Sequence, residues 1–304
     1  MKYVVTGGAG FIGSNLVDRL IEDGHEVIVF DNFSTGQRQN VNPKATLVLL
    51  DISMDSYPIL AESVLEGVDT VFHCAALARV QPSIVNPLPS NRVNVDGTLK
   101  LLCAANNAGV RRVVYSASSS AYGDTPMPST GYKETNKTNP LSPYGLQKLI
   151  GEQYCKLFHD VYEVETVCLR YFNVFGERQV LKGAYSLVMG IFANQRLNDQ
   201  PLTINGDGEQ KRDFTYVGDV VNANILAATS NKVGSGEVIN IGSGNNRSVN
   251  QIADLIGGPK EYRDPILEPQ ETLADNGKAK KLLGWEPTTT VEDWIPTYKK
   301  ELGI

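Results

Sequence analysis

A cluster of glycines follows the first apolar segment of this chain and precedes a helical pattern. Residues 2–6 indicate a short buried strand, and Gly7, Gly8, Gly10 and Gly13 come directly after it. Their spacing fits both G-x-G-x-x-G and G-x-x-G-x-x-G, in which a tight turn brings a helix N-terminus against a pyrophosphate. A Cβ at these positions would block the turn and the approach of a ligand. The cluster therefore predicts a strand, a turn and a helix that bind a dinucleotide.

The next apolar run indicates which dinucleotide is bound. Residues 25–30 form a second strand pattern that ends at Asp31, eighteen residues after Gly13. A carboxylate at this place can accept hydrogen bonds from the hydroxyls of an adenosine ribose, and it would repel a 2′-phosphate. The sequence therefore predicts NAD, rather than NADP, as the cofactor.

Size and charge restrict the class of protein. The chain has 304 residues, of which 41% are hydrophobic, enough for one large domain or two unequal ones. No apolar run is long enough to cross a membrane, and the first residues lack a signal-peptide pattern. A net charge of −6 without a basic stripe argues against nucleic-acid binding. We therefore expect a cytoplasmic enzyme that binds neither nucleic acid nor membrane.

The sequence predicts that the cysteines and one histidine are core residues. Cys74, Cys103, Cys155 and Cys168 lie singly in apolar segments, without C-x-x-C spacing or neighbouring histidine ligands. This pattern indicates reduced thiols and predicts no metal site. His73 has no acidic partner or nucleophile at a usable spacing, so we expect a buried, hydrogen-bonded histidine.

Apolar strands alternate with helical stretches through the first half of the chain. Strands are predicted at 2–6, 25–30, 45–50, 69–74, 112–116 and 165–171, and helices near 12–23, 57–66, 91–108 and 143–160. This alternation predicts an α/β fold with a doubly wound parallel sheet, a Rossmann fold, whose ligands bind at the carboxyl ends of the strands.

The pattern shortens after residue 172. Turn-rich segments are followed by a strand at 237–241 and small helices at 248–256, 276–283 and 290–301. We predict an NAD-binding Rossmann domain over 1–172, rejoined by 214–243, and a smaller C-terminal substrate-binding lobe that accounts for most of 173–304.

Tyr144 and Lys148 form a Y-x-x-x-K motif at the start of a predicted helix, so that their side chains share one face. A serine cluster ends the fifth predicted strand: Ser116, Ser118, Ser119 and Ser120. Tyrosine is a poor base at neutral pH, and a nearby ammonium together with the positive nicotinamide favours its phenolate. We predict that Ser118 holds a substrate hydroxyl, Tyr144 takes its proton, and Lys148 supplies the charge and binds the nicotinamide ribose.

Together these motifs resemble the extended short-chain dehydrogenases/reductases, and specifically the UDP-hexose 4-epimerases, over nearly the whole chain. The motifs that carry the resemblance are GGAGFIG at 7–13, DN at 31–32, DI at 51–52, HCAAL at 73–77, NVDG at 94–97, SASSSAYG at 116–123, YGLQK at 144–148, LRYFNVFG at 169–176 and RDFTYVGD at 212–219. The resemblance implies an NAD-dependent isomerase that interconverts UDP-glucose and UDP-galactose through a transient 4-keto sugar and retains its NAD. It also implies a homodimer joined by the helices near 91–108 and 143–160.

The same resemblance assigns the site residues. Those expected around the pyrophosphate, ribose, adenine and nicotinamide of NAD are Gly7, Gly10, Phe11, Ile12, Gly13, Asp31, Asn32, Phe33, Ser34, Thr35, Gly36, Asp51, Ile52, Cys74, Ala75, Ala76, Leu77, Ala78, Asn94, Ser116, Tyr144, Lys148 and Phe172. Those expected to bind the UDP-sugar are Ser118, Ser119, Tyr144, Asn173, Arg212, Arg263 and Thr272. Among these, Asn173 and Arg212 are expected at the diphosphate.

The residues that follow Ser118 bear on the reaction. Related dehydratases carry an Asp-Glu pair at this place and decarboxylases carry a Glu, whereas this chain has Ser119 and Ser120. Without a carboxylate, elimination of water lacks its acid and base, which leaves reversible oxidation at C4. A sugar-nucleotide reductase or dehydratase, and a dinucleotide-sensing protein without chemistry, are the competing interpretations.

One segment departs from the family pattern. Members usually carry Arg-x-Gly-Asp there, with an arginine that binds the diphosphate, but this chain has Ile266, Leu267 and Glu268 and is one residue shorter. Either Arg263 replaces the missing arginine, or the diphosphate is bound more weakly.

Two residues bear on the sugar. In the family, a tyrosine at the position of Thr272 restricts the pocket to hexoses, and a small residue admits N-acetylhexosamines. We therefore expect activity on UDP-GlcNAc and UDP-GalNAc as well. Arg79, which follows the motif at 73–77, leaves a UDP-hexuronate 4-epimerase as a further alternative.

Overall fold

The secondary structure comes from a computed structural model that describes residues 1–181, 186–266 and 268–304, so that Leu267 lies outside the described residues. The strands are β1 (Lys2–Thr6), β2 (Glu26–Asp31), β3 (Thr46–Leu49), β4 (Thr70–His73), β5 (Arg112–Ser118), β6 (Glu165–Tyr171), β7 (Val174–Phe175), β8 (Leu202–Asn205), β9 (Lys211–Asp213), β10 (Thr215–Tyr216), β11 (Ser235–Ile241), β12 (Asn246–Ser248) and β13 (Lys260–Arg263). The helices are α1 (Phe11–Glu22), α2 (Tyr57–Leu65), α3 (Val80–Val85), α4 (Pro87–Asn91), α5 (Gly97–Asn107), α6 (Pro143–Tyr162), α7 (Val188–Leu197), α8 (Val217–Thr229), α9 (Val249–Ile256), α10 (Gly277–Leu283) and α11 (Val291–Leu302).

Parallel strands form the central sheet, in the order β11-β6-β5-β4-β1-β2-β3. β1 lies between β2 and β4 and pairs in parallel with both. This is the strand order of a doubly wound fold, whose ligand crevice opens at the carboxyl ends of the strands where the order reverses. The predicted doubly wound parallel sheet is confirmed, and the crevice is expected between β1 and β4.

Hydrophobic clusters cover both faces of this sheet. Side chains of successive strand residues point to opposite faces, so Val4 and Val5, both fully buried, belong to different clusters. One cluster includes Leu16 of α1, and the other includes Ala61 of α2 and Leu101 of α5. A strand that is buried on both faces must be apolar without interruption, which is why these strands could be predicted from the sequence.

A third hydrophobic cluster lies in the C-terminal part of the chain. It joins Phe192 of α7, Ile252 of α9 and Trp294 of α11. Small sheets pair β8 with β13, β9 with β12 and β7 with β10. β11, which contains the strand predicted at 237–241, pairs with β6 at the edge of the central sheet. The division of the chain at residue 172 stays a prediction.

The sequence predicts one helix over 91–108, but the structure has a helical segment that starts earlier and is interrupted. There α4 begins at Pro87, a π-helical turn over Arg92–Asp96 follows, and α5 then runs to Asn107. A proline suits the first turn of a helix, where its missing N–H has no partner to lose. α3, α7 and α8 are three further helices that the sequence pattern does not predict. In α8 apolar residues occur on all sides, which hides the helical period.

Other features bear on the class of protein. The four cysteines are free thiols, and Cys155 and Cys168 are buried. Within the described ranges, no three His, Cys, Asp or Glu side chains lie close enough together to hold a metal ion. No helix in the described part of the chain combines the length and the hydrophobicity that crossing a bilayer requires.

Candidate active site

A cavity of about 640 Å³ opens at the carboxyl ends of the central strands. Most of the predicted cofactor-binding residues line it: Gly7, Gly10, Phe11, Ile12, Gly13, Asp31, Asn32, Ser34, Thr35, Asp51, Ile52, Cys74, Ala75, Ala76, Leu77, Ala78, Ser116, Tyr144 and Lys148. Phe33, Gly36, Asn94 and Phe172 are not among the lining residues. The cavity therefore lies where a doubly wound sheet binds its ligand.

The glycine turn forms one side of this cavity. Gly7 has a φ of +68°, and its N–H donates to the Phe30 carbonyl at 2.7 Å. A Cβ on Gly13 would lie 2.2 Å from the Gly7 carbonyl oxygen, so only glycine fits there. α1 begins directly after Gly10 without a capping side chain. Its first N–H groups are therefore available to an anion.

Asp31 is held in a fixed orientation at the end of β2. It is 7% exposed, and its carboxylate accepts the N–H of Ala9 at 2.9 Å and of Phe33 at 2.7 Å. A Cβ on Gly36 would lie 2.9 Å from one carboxylate oxygen, so Gly36 makes room for Asp31. Each carboxylate oxygen has a further lone pair, which can accept a ligand hydroxyl.

Asp51 provides a second oriented carboxylate beside this part of the cavity. It accepts the N–H of Ser53 at 2.8 Å and the hydroxyl of Ser53 at 2.7 Å. Partial burial raises the pKa of the Asp51 carboxyl, but hydrogen bonds from Ser53 and Asn32, together with the charge of Lys100, outweigh burial and bring the pKa below its ordinary value. Asp51 is therefore ionised and accepts hydrogen bonds.

Asn94 and Phe172 act from behind the cavity surface. The Asn94 side chain accepts the N–H of Leu77 at 2.8 Å and donates to the carbonyl of Leu77 at 3.0 Å. It therefore supports the loop at 75–78 through its backbone. Phe172 is fully buried in a cluster with Tyr122 and Tyr132.

These features fit NAD. The turn has no room for a Cβ at Gly13, the adjoining helix N-terminus is uncapped, and the Asp31 carboxylate is fixed by backbone N–H groups. A turn that served only to connect a strand with a helix would require neither the uncapped helix N-terminus nor the fixed carboxylate. Gly7 to Gly13 would hold the pyrophosphate, and Asp31 would hold the adenosine ribose.

Helix α6 brings Tyr144 and Lys148 to the same cavity. Ser142 caps the helix by accepting the Gly145 N–H at 3.1 Å, and a proline occupies the first turn. A Cβ on Gly145 would lie 2.6 Å from the Ser120 carbonyl. The start of the helix therefore rests directly on the segment that follows β5.

The Tyr144 hydroxyl is a protonated phenol in this environment. Burial raises its pKa, whereas hydrogen bonding with Ser118 and the charge of Arg79 lower it. The effect of burial is larger, so the pKa lies above the ordinary value of 10.0. The Ser118 hydroxyl accepts the N–H of Ser120 at 3.2 Å, which orients it. Tyr144 thus needs a further positive charge before it can act as a base.

Lys148 supplies a buried cation one helical turn after Tyr144. It is 4% exposed, and its ammonium donates to the Ser116 carbonyl at 2.7 Å. Burial lowers its pKa from 10.5 to about 8, because the charged form is separated from water. An ammonium has three N–H donors, so Lys148 can bind a ligand and keep its contact with Ser116.

A second cavity of about 240 Å³ adjoins the first. Ser119, Asn173 and Glu268 line both cavities, which therefore form one continuous site. The other predicted substrate-binding residues that line one of the two are Ser118, Tyr144, Arg212 and Thr272. Arg263 lines neither cavity, and its exposed side chain pairs with Glu261 at 3.2 Å.

Arg212, the candidate cation for a diphosphate, pairs with a carboxylate of its own chain. Its side chain is 11% exposed, and its Nη2 donates to Glu268 at 2.5 Å. The other oxygen of Glu268 accepts the Gln210 side-chain amide at 3.2 Å. Arg212 is therefore oriented at the second cavity, with Glu268 bound to its guanidinium.

His73 is a structural residue, as expected from the sequence. It is buried between the hydroxyls of Thr6, at 2.8 Å, and Thr98, at 3.0 Å. Burial, together with the charge of Lys148, lowers its pKa to about 3. It is therefore neutral at physiological pH.

Comparison with known proteins identifies the family. The model of the NAD dependent epimerase/dehydratase family matches residues 3–242. This chain belongs to that family. Within the family, a putative UDP-glucose 4-epimerase from Methanocaldococcus jannaschii is 40% identical over 301 residues, which cover 96% of this chain and 95% of that protein.

Solved structures of the family superpose over almost the whole chain. The UDP-glucose 4-epimerase of Thermotoga maritima, solved with UDP-glucose, has a TM-score of 0.91 and 37% identity, over 99% of this chain and 100% of that one. A UDP-N-acetylglucosamine 4-epimerase from Methanobrevibacter ruminantium, solved with UDP-N-acetylmuramic acid, has a TM-score of 0.89 and 36% identity, over 99% and 98%. The resemblance stated from the sequence is confirmed for the family and the fold.

The structure adds two charged residues to the predicted site. Arg79 follows the loop at 75–78, lines the first cavity and lowers the pKa of Tyr144, whereas from the sequence it is expected only to bind a carboxylated sugar. Glu268 lines both cavities and binds Arg212, from which it is 56 residues distant in the chain. Proximity to the predicted loop could have indicated Arg79, but only the folded chain brings Glu268 to Arg212.

The burial of Lys148 can be tested by its effect on stability. The folded protein binds the Lys148 proton only below pH about 8, whereas the unfolded chain binds it up to the ordinary pKa of 10.5. Between these values the unfolded state holds more protons, so the stability of the wild type rises with pH relative to Lys148→Met. We expect the difference in unfolding free energy to change by up to about 1.4 kcal/mol per pH unit, measured by urea denaturation from pH 7 to 10.

Lys156→Met, at an exposed lysine of the same helix, is the matched control for the loss of a lysine from α6. A difference between wild type and Lys148→Met that stays constant over this pH range would contradict the burial of a charged Lys148.

Proposed function

We propose that this protein is an NAD-dependent 4-epimerase of UDP-sugars, an isomerase that interconverts UDP-glucose and UDP-galactose. The observation that carries the proposal is that Ser118, Tyr144 and Lys148 line the first cavity, which continues into the second. The first cavity has the features that fit NAD, and the second is lined by Arg212. A sugar nucleotide spanning the two would present a sugar hydroxyl to Tyr144.

Side chains of this protein would hold that hydroxyl and transfer its proton. NAD, when bound, supplies a reversible acceptor for the hydride of C4. Ser118 donates or accepts a hydrogen bond at the C4 hydroxyl. Tyr144 takes the hydroxyl proton as C4 is oxidised, acting as the phenolate that the positive charges of Lys148 and the bound cofactor would favour. Lys148 keeps a positive charge beside the phenolate. Tyr144 returns the proton when C4 is reduced on its other face, so the net oxidation state of the sugar is unchanged.

The serines after Ser118 support epimerisation over elimination or decarboxylation. Ser119 and Ser120 line both cavities and stand where related enzymes of those classes carry carboxylates. A serine hydroxyl cannot act as the general base for removal of a carbon-bound proton at neutral pH. Because the family includes dehydratases, this difference is the specific observation that favours an epimerase.

The second cavity supports a broad sugar specificity. Thr272 lines it and is fixed by its N–H, which donates to the Lys211 carbonyl at 3.0 Å. A threonine leaves space that a tyrosine would fill, so UDP-GlcNAc and UDP-GalNAc are also substrates in our proposal. One solved relative is named for UDP-N-acetylglucosamine.

A UDP-hexuronate 4-epimerase is the second candidate function. Arg79 lines the first cavity close enough to Tyr144 to affect its pKa. A guanidinium can bind a carboxylate through two parallel hydrogen bonds. UDP-glucuronate, whose sugar has a carboxylate at C6, is therefore also tested as a substrate.

Exposed apolar side chains support a homodimer. Leu146 and Leu157 of α6 lie three turns apart on one helix face, and both are about half exposed. Val85 of α3 and Leu88 of α4 are largely exposed, and both of these helices contact α6. An apolar surface of this kind is typical of an interface between subunits, so we propose that α6 and its neighbours pair with a second copy of the chain.

We also propose a cytoplasmic location. The four cysteines are free thiols in the folded chain, as is usual for proteins in a reducing compartment.

The reaction is tested by incubating the purified protein with UDP-glucose, UDP-GlcNAc and UDP-glucuronate without added cofactor. We expect C4 epimers of unchanged mass, separated by liquid chromatography and weighed by mass spectrometry. Tyr144→Phe should lower kcat by about 10²-fold or more, because it removes the proton acceptor. Tyr262→Phe, at an exposed tyrosine, is the control. A product lighter by one water, or turnover that is equal in Tyr144→Phe and wild type, would contradict the proposal.

The role of Thr272 is tested by Thr272→Tyr. The larger side chain should fill the space for an N-acetyl group and lower kcat/KM for UDP-GlcNAc relative to UDP-glucose by about tenfold or more. Thr272→Val has nearly the size of threonine and should leave the ratio close to that of the wild type. If Thr272→Tyr does not change the ratio, Thr272 does not control the choice of sugar.

The dimer is tested by light scattering on a size-exclusion column. We expect wild type at twice the mass of one chain and Leu157→Glu at the mass of one chain, because a charge at the interface is costly to bury. Leu60→Glu, at a comparably exposed leucine of α2, should stay dimeric. A monomeric wild type, or a dimeric Leu157→Glu with an unchanged circular dichroism spectrum, would contradict this interface.

A further inference from the structure

The contact between Arg212 and Glu268 has a consequence for substrate binding that rests on the function proposed above. If the diphosphate of a UDP-sugar binds at Arg212, it meets a guanidinium that already binds a carboxylate at 2.5 Å. Gln210 holds the other carboxylate oxygen at 3.2 Å and also donates to the Asn205 carbonyl at 2.9 Å. Glu268 is thus held on two sides, in a fixed position at the cavity.

The charges around the second cavity determine how the contact between Arg212 and Glu268 affects the binding of a diphosphate. Among the described residues that line it, Arg212 is the only cation and Glu268 is the only anion. The guanidinium and the carboxylate therefore compensate each other, and the site has little net attraction for a diphosphate. Partial burial strengthens both the attraction within the pair and the repulsion between Glu268 and an entering phosphate.

Among the described residues that line the second cavity, no other arginine compensates for the pairing of Arg212 with Glu268. Arg263, the expected replacement for the missing family arginine, lies outside both cavities and pairs with Glu261. Ile266, which also lines both cavities, contributes only an apolar surface where the family pattern has charge. The diphosphate must therefore compete with Glu268 for Arg212.

We propose that Glu268 is an affinity-determining residue, a built-in anion that competes with the substrate diphosphate for the Arg212 guanidinium. Binding of a UDP-sugar displaces Glu268 from Arg212, and release of the product restores the ion pair. The affinity for the nucleotide is lower than Arg212 alone would give, and the product dissociates more readily.

The test compares UDP with uridine, because the two differ only in the diphosphate. Titration calorimetry is carried out on the protein as purified, with wild type and Glu268→Gln. Glutamine keeps the size of the side chain and removes the charge, so we expect UDP to bind about five to ten times more tightly and uridine to bind equally well. Unchanged or weaker binding of UDP to Glu268→Gln would overturn the proposal, and so would an equal gain for uridine.

Two further variants distinguish the possible reasons for a change. Glu286→Gln removes an exposed carboxylate that pairs with Lys280, with the same change in net charge, and should leave UDP binding unaltered. An equal gain in this variant would assign the effect to net charge and overturn the proposal. In an Arg212→Gln background the gain from Glu268→Gln should become smaller, because no guanidinium remains to be released. An undiminished gain in UDP affinity would mean that Glu268 only repels the diphosphate, and it would overturn the proposed competition for Arg212.

A failure of the proposed function would be detected in a different variant, by its binding of UDP and uridine. Arg212→Gln alone should weaken UDP binding and leave uridine binding unchanged. Unaltered UDP binding in this variant would overturn the assignment of the diphosphate to Arg212, whatever the result for Glu268→Gln.

Discussion

The packing of α6 against β5 is the contact on which the candidate active site depends. A Cβ on Gly151 of α6 would lie 2.2 Å from the hydroxyl oxygen of Tyr115 in β5, so the helix and the strand approach as closely as glycine allows. The Lys148 ammonium bonds the Ser116 carbonyl across the same contact. Tyr144 is thereby held at the carboxyl end of the sheet, where the loops that are predicted to bind the cofactor also meet.

A buried ion pair lies next to Lys148, with its carboxylate on the same helix. Glu152 lies one turn beyond Lys148 on α6, and Arg170 binds both of its carboxylate oxygens, at 2.7 and 2.6 Å. This bidentate pair satisfies Glu152, so the carboxylate does not compete for the ammonium. Glu268 and Arg212 form a comparable pair at the other end of the site, but that pair faces the cavity. The Glu152–Arg170 pair lies beside the predicted catalytic residues, and the Glu268–Arg212 pair is the one that we propose competes with the ligand.

The sequence allowed the sheet, and the position of Tyr144 and Lys148 at the cavity, to be predicted because their signals are local. A strand buried on both faces is continuously apolar, and a four-residue spacing places Tyr144 and Lys148 on one helix face. The remaining features depend on contacts between distant parts of the chain. Asn94 supports the cavity from behind, through the backbone of Leu77 and the side chain of Gln147, and Glu268 reaches Arg212 only in the folded protein. Residue type and spacing do not encode these partners.

The central claim is that the hydrogen on C4 of the sugar leaves and returns inside the site, while Tyr144 exchanges only the hydroxyl proton. The most direct measurement is conversion of UDP-glucose that carries deuterium at C4, in ordinary water and without added cofactor, with the product examined by NMR. The account predicts UDP-galactose that retains the deuterium at C4 and acquires no solvent hydrogen on carbon. Loss of the deuterium to solvent, or entry of solvent hydrogen at C4 or C5, would contradict it.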